Sequence, residues 1–380
     1  MKILFAFGDT GSGFSGGELL VYRLANHLSA ENQVDFVRLV DWRKAVGQNI
    51  GLGVAKRLEK DVTLRQRLYG TLARWRVLRR VSAALRITPA QSAVWPLDSR
   101  IRVLDYDGGR QSLGTYDQAI ATNWTTAHFV ASHIQARQKH YLIQNFEDSP
   151  VYSNELSSLA STAYALDLHK IVISEALKSR FQNDHPSLVI PGIDTNVFTQ
   201  STDAEMRPKH SFVLPLKAAA YKGTRNGFRA VSLAQGKFGD CSLTLYGNRY
   251  ARPLAGVARS RWCRVLHNPS TPRLVGALNS SRFFLFPSVL EGFPVAPLEA
   301  MACGCVVIAT PNLGTSAYLV DGQNAFVAKG FGDQDLYEAI VRAFSEADRF
   351  PEIISRGKKT ICDFPWERTH QMFADALASS

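Results

Sequence analysis

Apolar and polar positions along this chain follow two periods in turn, and the switching between them predicts the architecture. KILFAF from Lys2 is an apolar strand, and LLVYRLANHLS from Leu19 spaces its apolar residues at helical intervals. Much later, RFFLFPS from Arg282 is a short, almost wholly apolar run that ends at Pro287-Ser288, the pattern of a strand buried on both faces of a parallel sheet. Glu291 to Val295 reads as a loop. A helix follows with Pro294 or Pro297 in its first turn and runs to about Ala302, Gly304 ends it, and VVIAT from Val306 is the next buried strand. Strands alternate with helical stretches in both halves. The expected fold class is therefore α/β, with two Rossmann-like, doubly wound parallel sheets facing each other across a cleft.

A length of 380 residues with 46% apolar composition suits a chain that buries two cores. PGIDTN after Ile190 breaks the pattern, which puts a boundary between Pro191 and Gln200. The expected division is residues 1–195, residues 196–362 and a terminal segment, 363–380. No repeat of solenoid period and no low-complexity tract interrupts it. The opening residues read as a strand rather than a signal peptide, and no run of eighteen apolar residues occurs, so a cytoplasmic protein is expected. Five cysteines, with Cys303 and Cys305 two apart, suggest buried thiols in a reducing compartment. Neither that pair nor the nine scattered histidines make a paired ligand set, so no metal site is expected.

Charge adds one feature. The formal net charge is +11, and between Arg43 and Arg86 twelve basic residues face only Glu59 and Asp61. Leu58, Leu64, Leu68, Leu72, Trp75 and Leu78 are interleaved at roughly helical intervals, giving a basic amphipathic excursion over residues 43–90. The leucines could simply pack on the core beneath solvated arginines. Alternatively, the excursion adsorbs at an anionic membrane leaflet, with Trp75 near the headgroups and about 1 kcal/mol for each base close to the surface. Nucleic acid is not expected, because no stacking platform accompanies the charge.

The most telling chemistry is carried by Glu291 and Glu299, eight residues apart across a strand-to-helix turn. Gly292 permits close backbone approach, and the unpaired amides of the following first turn, with the helix dipole, make an anion site suited to the diphosphate of a sugar nucleotide. Glu299, over a turn into the helix, could accept both ribose hydroxyls, while Glu291 stays beside the sugar. The plainer alternative is a loop charge and a solvated helix face.

EGFPVAPLEAMACG followed by a strand, then TPNLGTSAYLVDGQNAFV, resembles the donor-site signature of glycosyltransferase family 4, the retaining enzymes of GT-B fold. The resemblance covers most of the chain, thinly in the first half. It implies that Gly16 and Gly17 adjoin the donor phosphate and reacting centre, that Lys217 and Lys222 neutralise the diphosphate, and that Gly292, Phe293, Pro294, Val295 and Glu299 bind the donor. HKIVISEALKSRF and SLVIPGIDTNVF look like the family's last amino-terminal strand, its helix and the entry to the linker. FPWERTHQMFADAL resembles the terminal helix that crosses back onto the first domain. Two positions depart from the pattern. Lys217 stands where the family more often has Arg, and supplies charge without a bidentate fork. KHYLIQNFEDSP puts Gln144 or Asn145, with Glu147 nearby, where the family usually has a His that contacts the transferred sugar; Gln144 can hydrogen-bond but cannot act as a base. His128 and His133 lie earlier, at helical spacing that suits a structural role. The loop LHNPSTP from Leu266 would frame the base.

The resemblance thus implies a hexosyltransferase with Glu291, Lys222, Lys217 and Gln144 as the catalytic group. Its substrate would be a nucleoside-diphosphate sugar, and it would need no cofactor and no metal. Its acceptor would be a glycan or a lipid-linked glycan in surface-polysaccharide synthesis, at the inner face of the membrane. The YLIQNFE stretch also resembles rhamnosyltransferase-like members, which implies a 6-deoxy donor. Two rivals remain open. Gly11-Ser12-Gly13-Phe14-Ser15-Gly16, with Asp35 and Asp41 about where a second strand should end, fits an NAD(P)-dependent oxidoreductase. The other is a nucleotide-sugar-binding protein without turnover.

Overall fold

The computed structural model describes residues 1–8, 16–39, 97–107, 113–151, 154–247 and 261–379. The basic excursion, Gly11, Gly13 and Asp41 lie outside these residues. The first sheet contains β1 (Lys2–Gly8), β2 (Gln33–Leu39), β3 (Arg102–Tyr106), β4 (Thr115–Ala121), β5 (Gln135–Ile143), β6 (His169–Val172) and β7 (Ser187–Leu188), ordered β3-β2-β1-β4-β5-β6-β7. The second contains β8 (Ser211–Leu216), β9 (Ser242–Gly247), β10 (Cys263–His267), β11 (Phe283–Phe286), β12 (Val306–Ala309) and β13 (Phe326–Val327), ordered β10-β9-β8-β11-β12-β13. Every pairing between these strands is parallel.

Parallel strands buried on both faces need apolar residues throughout, and β1, β8, β11 and β12 have them. Phe283, Phe284 and Leu285 are wholly inaccessible. Each contributes about 2 kcal/mol by leaving water. The strands are joined by α1 (Gly16–Leu28), α2 (Trp124–His133), α3 (Asn154–Tyr164), α4 (Glu175–Arg180), α5 (Thr224–Phe238), α6 (Thr271–Asn279), α7 (Ala296–Ala302), α8 (Asp333–Ser345) and α9 (Phe350–Ile361), and α10 (Trp366–Ala378) follows the last of them. Asn123 caps α2 by accepting from the Thr126 amide at 3.0 Å, and Gly304, at φ +74°, stops the chain after α7. β7 is one strand more than the sequence pattern placed before the linker, since His169–Val172 is followed by a further short pairing of Ser187 with Ile171.

Each sheet reverses direction once, between β1 and β4 in the first and between β8 and β11 in the second. Crevices at the carboxyl ends of such strands are where open α/β sheets take ligands. Here the two crevices meet: a Cβ added to Gly292, beyond β11, would lie 2.1 Å from the carbonyl oxygen of Gln144, just beyond β5. Helix α10 returns to the first sheet, where the Ile193 amide donates to Phe364 O at 2.8 Å and Thr369 Oγ1 donates to Ile190 O at 2.8 Å. Among the described residues no helix is long and apolar enough to cross a membrane.

Substituting Gly292→Ala should force the two loops apart and cost about 1–3 kcal/mol in unfolding free energy. Gly236→Ala in α5 is the control, because a Cβ there meets nothing within 4 Å; it should be neutral or mildly stabilising by denaturant titration.

Candidate active site

The site is built on the strand ends of the second sheet. β8 ends at Leu216, so Lys217 is the first residue beyond it, and its backbone is tied to α5 by Thr224, whose Oγ1 accepts from the Lys217 amide at 3.1 Å. Lys222 lies in the turn just before α5. Gly223, at φ +64°, lets that turn press on the end of β11, where a Cβ would fall 1.9 Å from Pro287 O. The Val289 amide donates to Tyr221 O at 2.7 Å and locks the two loops together.

This packing brings Lys222 Nζ onto Glu291, donating to Oε1 at 2.8 Å and Oε2 at 2.7 Å. Ser288 Oγ donates to the same Oε1 at 2.5 Å. Glu291 is buried, so its charge is tolerable only with these donors. The residues assigned from the resemblance to diphosphate and to sugar are therefore bonded to each other. Lys217 stands beside them. Burial pushes its pKa down first and the Lys222 charge pushes it further, while Glu291, Glu18 and Glu299 act in the opposite sense.

Helix α7 starts at Ala296 with Pro297 in its first turn and Val295 as its cap. The sequence allowed Pro294 as the start, which would have put Glu299 beyond a turn; the structure places Glu299 in the first turn itself. Only seven residues long, this helix has a small dipole, and the lysines carry most of the positive charge. The surrounding protein raises the half-buried Glu299 carboxyl from 4.5 to about 7, chiefly by desolvation, with Lys217 opposing. Desolvation first, and then the Glu299 charge, raise the pKa of half-buried Tyr246 near the end of β9, which places both at the same strand ends. Phe293 turns away from the cleft: its ring packs on Tyr318 and Phe364 at 5.4 and 5.5 Å. Pro294 O accepts from Tyr318 Oη at 2.5 Å. The Phe293 ring and the Pro294 carbonyl thus anchor the loop to the core, and of these two residues only Phe293 has a backbone N–H.

The first sheet supplies the facing wall. Gly16 opens α1, and a Cβ on it would meet Val295 Cγ2 at 3.8 Å. Gly16, Val295 and Glu299 line one cavity together with Arg23, Asp194 and Trp366. On Gly17 a Cβ would lie 2.6 Å from Gln144 Oε1. Gln144 Nε2 donates to Thr122 O at 2.9 Å, whereas its buried Oε1 has no partner. A carboxamide oxygen thus presents a ready acceptor beside the glycine pair. Glu147 lies behind, taking the Tyr141 hydroxyl, and burial raises its carboxyl to about 8. His128 and His133 are packing residues: His128 is buried and meets Thr162 Oγ1 at 3.1 Å, and His133 stacks on Phe129 at 5.5 Å.

Two expectations fail on the described residues. Asp35 does not end β2; it is the third residue of that strand, wholly buried, and takes Arg102 Nε at 2.9 Å and Tyr116 Oη at 2.7 Å. No ribose can reach it, which removes that acid from the oxidoreductase reading. Cys362 is exposed, unlike the four other cysteines. Ser288 and Glu18 were not singled out in the sequence. Ser288 could have been, as the polar residue closing an apolar strand; Glu18 gives no local signal of its effect on Lys217.

Two parallel-sheet, Rossmann-like halves facing each other, with the candidate residues gathered at both reversal points, make a GT-B architecture, and comparison with solved structures agrees. HepE from Anabaena, solved with UDP and glucose, superposes with a TM-score of 0.69 at 15% identity over the full length of both chains. Sucrose-phosphate synthase from Thermosynechococcus elongatus gives 0.67 at 15% identity, over 99% of this chain and all of that one. Residues 207–346 match the family described as Glycosyl transferases group 1. The matched stretch takes in all six strands of the second sheet. A D-inositol 3-phosphate glycosyltransferase from Arthrobacter sp. is 25% identical over 266 residues, 62% of this chain. The chain spans 61% of that relative's length.

The raised Glu299 carboxyl has a direct consequence. Because its folded pKa lies above the unfolded one, it favours folding fully below about 4.5, and this contribution is lost as pH rises through about 7. Glu299→Gln should therefore gain on the wild type by on the order of 1–2 kcal/mol between pH 4.5 and 7.5 in urea unfolding. A constant difference between the two proteins would contradict the burial of an ionising group.

Proposed function

We propose that this chain is a retaining glycosyltransferase of the family 4 type, moving a hexosyl or 6-deoxyhexosyl group from a nucleoside-diphosphate sugar to an acceptor hydroxyl. The observation that carries the reading is the cluster of Lys217, Lys222, Glu291 and Glu299 at the reversal point of the second sheet, directly across from Gly16, Gly17 and Gln144. The domains would divide at residues 195 and 362.

In this reading the diphosphate lies between Lys217 and Lys222. As the bond from the anomeric carbon to the phosphate oxygen breaks, negative charge grows on the leaving group, and two preset ammonium groups meet it. These charges do the work that a metal would otherwise do. The acceptor oxygen bonds to the same face of the anomeric carbon, and its proton passes to an oxygen of the departing diphosphate. Glu291, released in part from Lys222 as that lysine engages phosphate, holds a sugar hydroxyl and favours positive charge at the anomeric carbon. Glu299 accepts from the ribose. Gln144 Oε1 accepts from a hydroxyl of sugar or acceptor, and an amide there suits a 6-deoxy sugar that offers fewer groups to a base. The close approach at Gly292 and Gly17 excludes water from the donor. The acceptor would be a glycan or lipid-linked glycan, with the segment Arg43–Arg86 holding the protein at an anionic leaflet.

A thermal-shift screen against UDP, GDP, TDP, their common sugars, NAD and NADP tests the reading. Binding to the native state alone at a hundredfold excess over Kd stabilises by about 2.7 kcal/mol. One nucleoside diphosphate should raise Tm, and its sugar should then be consumed when acceptor is present. A shift with NAD alone would overturn the proposal, and binding without turnover would leave a nucleotide-sugar-binding protein.

A further inference from the structure

At the opposite end of the second sheet, three side chains of metal-binding type meet without any part in the site above. His210 immediately precedes β8, and Asp240-Cys241 immediately precede β9. These strands are hydrogen-bonded neighbours in the register Ser211 to Ser242, and the Ser242 amide donates to His210 O at 3.0 Å. The ladder therefore holds the two segments side by side. One ligand atom from each of His210, Asp240 and Cys241 lies within 4.8 Å of the other two, and His210 Nδ1 is 2.5 Å from Asp240 Oδ1.

We infer that His210 Nδ1, Asp240 and Cys241 Sγ form a binding site for a zinc-class divalent cation that staples the amino-terminal ends of β8 and β9. The donor set is one imidazole, one carboxylate and one thiolate, which suits Zn²⁺ or Co²⁺ and not the oxygen-seeking Mg²⁺ or Ca²⁺. Two of the three ligands are already fixed. The His210 ring stacks on Phe344 at 3.9 Å, and the Cys241 amide donates to Gln235 Oε1 at 2.6 Å. Both residues are buried. The Asp240 side chain is 58% exposed, so it can swing outward to admit the ion and leave a fourth position to water. Ligand atoms around zinc stand about 3.5 Å apart, given bonds of roughly 2.0–2.3 Å, so the carboxylate must retreat from the imidazole by about 1 Å.

On binding, the proton that His210 Nδ1 donates to Asp240 moves to Nε2 so that Nδ1 can lend its lone pair, the Cys241 thiol loses one proton to solvent, and the ion stays divalent. Because the thiol must give up a proton to bind, affinity should climb with pH across the neutral range. Six residues of β8 separate His210 from Lys217, about 20 Å, so the site acts on stability and not on group transfer. Sequence alone hid it, since His210 stands 30 residues before Asp240.

The test uses the whole protein stripped with EDTA, then titrated with ZnCl₂ and, separately, CoCl₂. Expected are one tightly bound equivalent, a raised Tm, and a thiolate-to-Co²⁺ charge-transfer band. Cys241→Ser should abolish the band and Asp240→Asn should weaken Zn²⁺ at least tenfold. Because Asp240 is exposed, that variant should fold even if the cysteine variant does not. No uptake, uptake without the thiolate band, or undiminished affinity in Asp240→Asn would each overturn the assignment.

Discussion

The arrangement of the cleft depends on one charge pair. Glu291 is buried at the end of β11, and an unpaired carboxylate there would cost several kcal/mol. Lys222 and Ser288 remove that cost, and in doing so they fix the turn before α5 against the loop before α7. Those two segments carry Lys217, Lys222 and Glu291, and Glu299 follows in the first turn of α7. The same pair leaves the site poised: a lysine held by a carboxylate can turn to a phosphate if the ligand's charge exceeds the carboxylate's pull. Three acids, Glu18, Glu291 and Glu299, act on Lys217, and the neutralising tendency of burial on Glu299 keeps the cluster from becoming strongly anionic.

A second constraint is steric and follows from the first. With the charged loops fixed, the facing sheet must come within reach of them, and it does so through backbone. Gly292 against the Gln144 carbonyl and Gly17 against the Gln144 carboxamide allow distances that a side chain would forbid. Helix α10 then holds the halves in that relation by pairing with residues 190–193 of the linker and packing on the first sheet. Arg23 of α1 takes part in this clasp, lying 4.6 Å over the Trp366 ring and 2.5 Å from Asp194. Charge, close approach and crossover together bring two separate reversal points to one place.

Much of this was legible in the sequence, for reasons that differ by residue. Strands such as Phe283–Phe286 and Val306–Ala309 declare themselves because burial on both faces leaves an unbroken apolar run. The end of α7 was visible in Gly304. The two facing parallel sheets followed from the alternation of strand and helix, and the GT-B fold from the resemblance carried by the long motif around Glu291. What sequence could not give is partnership at a distance. Lys222 and Glu291 stand 69 residues apart and were assigned separate duties, yet they are bonded. Phe293 sits inside the donor motif, but its ring serves the core. Asp35 had the right type and approximate position for a ribose ligand; strand register put it under Arg102 and Tyr116 instead. In each case pattern located the residue, and tertiary packing chose its partner.

The most direct test of the account is calorimetric titration of UDP, GDP and TDP, each beside its nucleoside, into the wild type and Lys222→Gln, a variant that keeps a donor for Glu291. If the charge pair is the diphosphate anchor, the preferred nucleoside diphosphate should bind at least tenfold more weakly to the variant while its nucleoside binds equally to both. Equal affinities of that diphosphate for the two proteins, or equal losses for diphosphate and nucleoside, would contradict the central role given to Lys222.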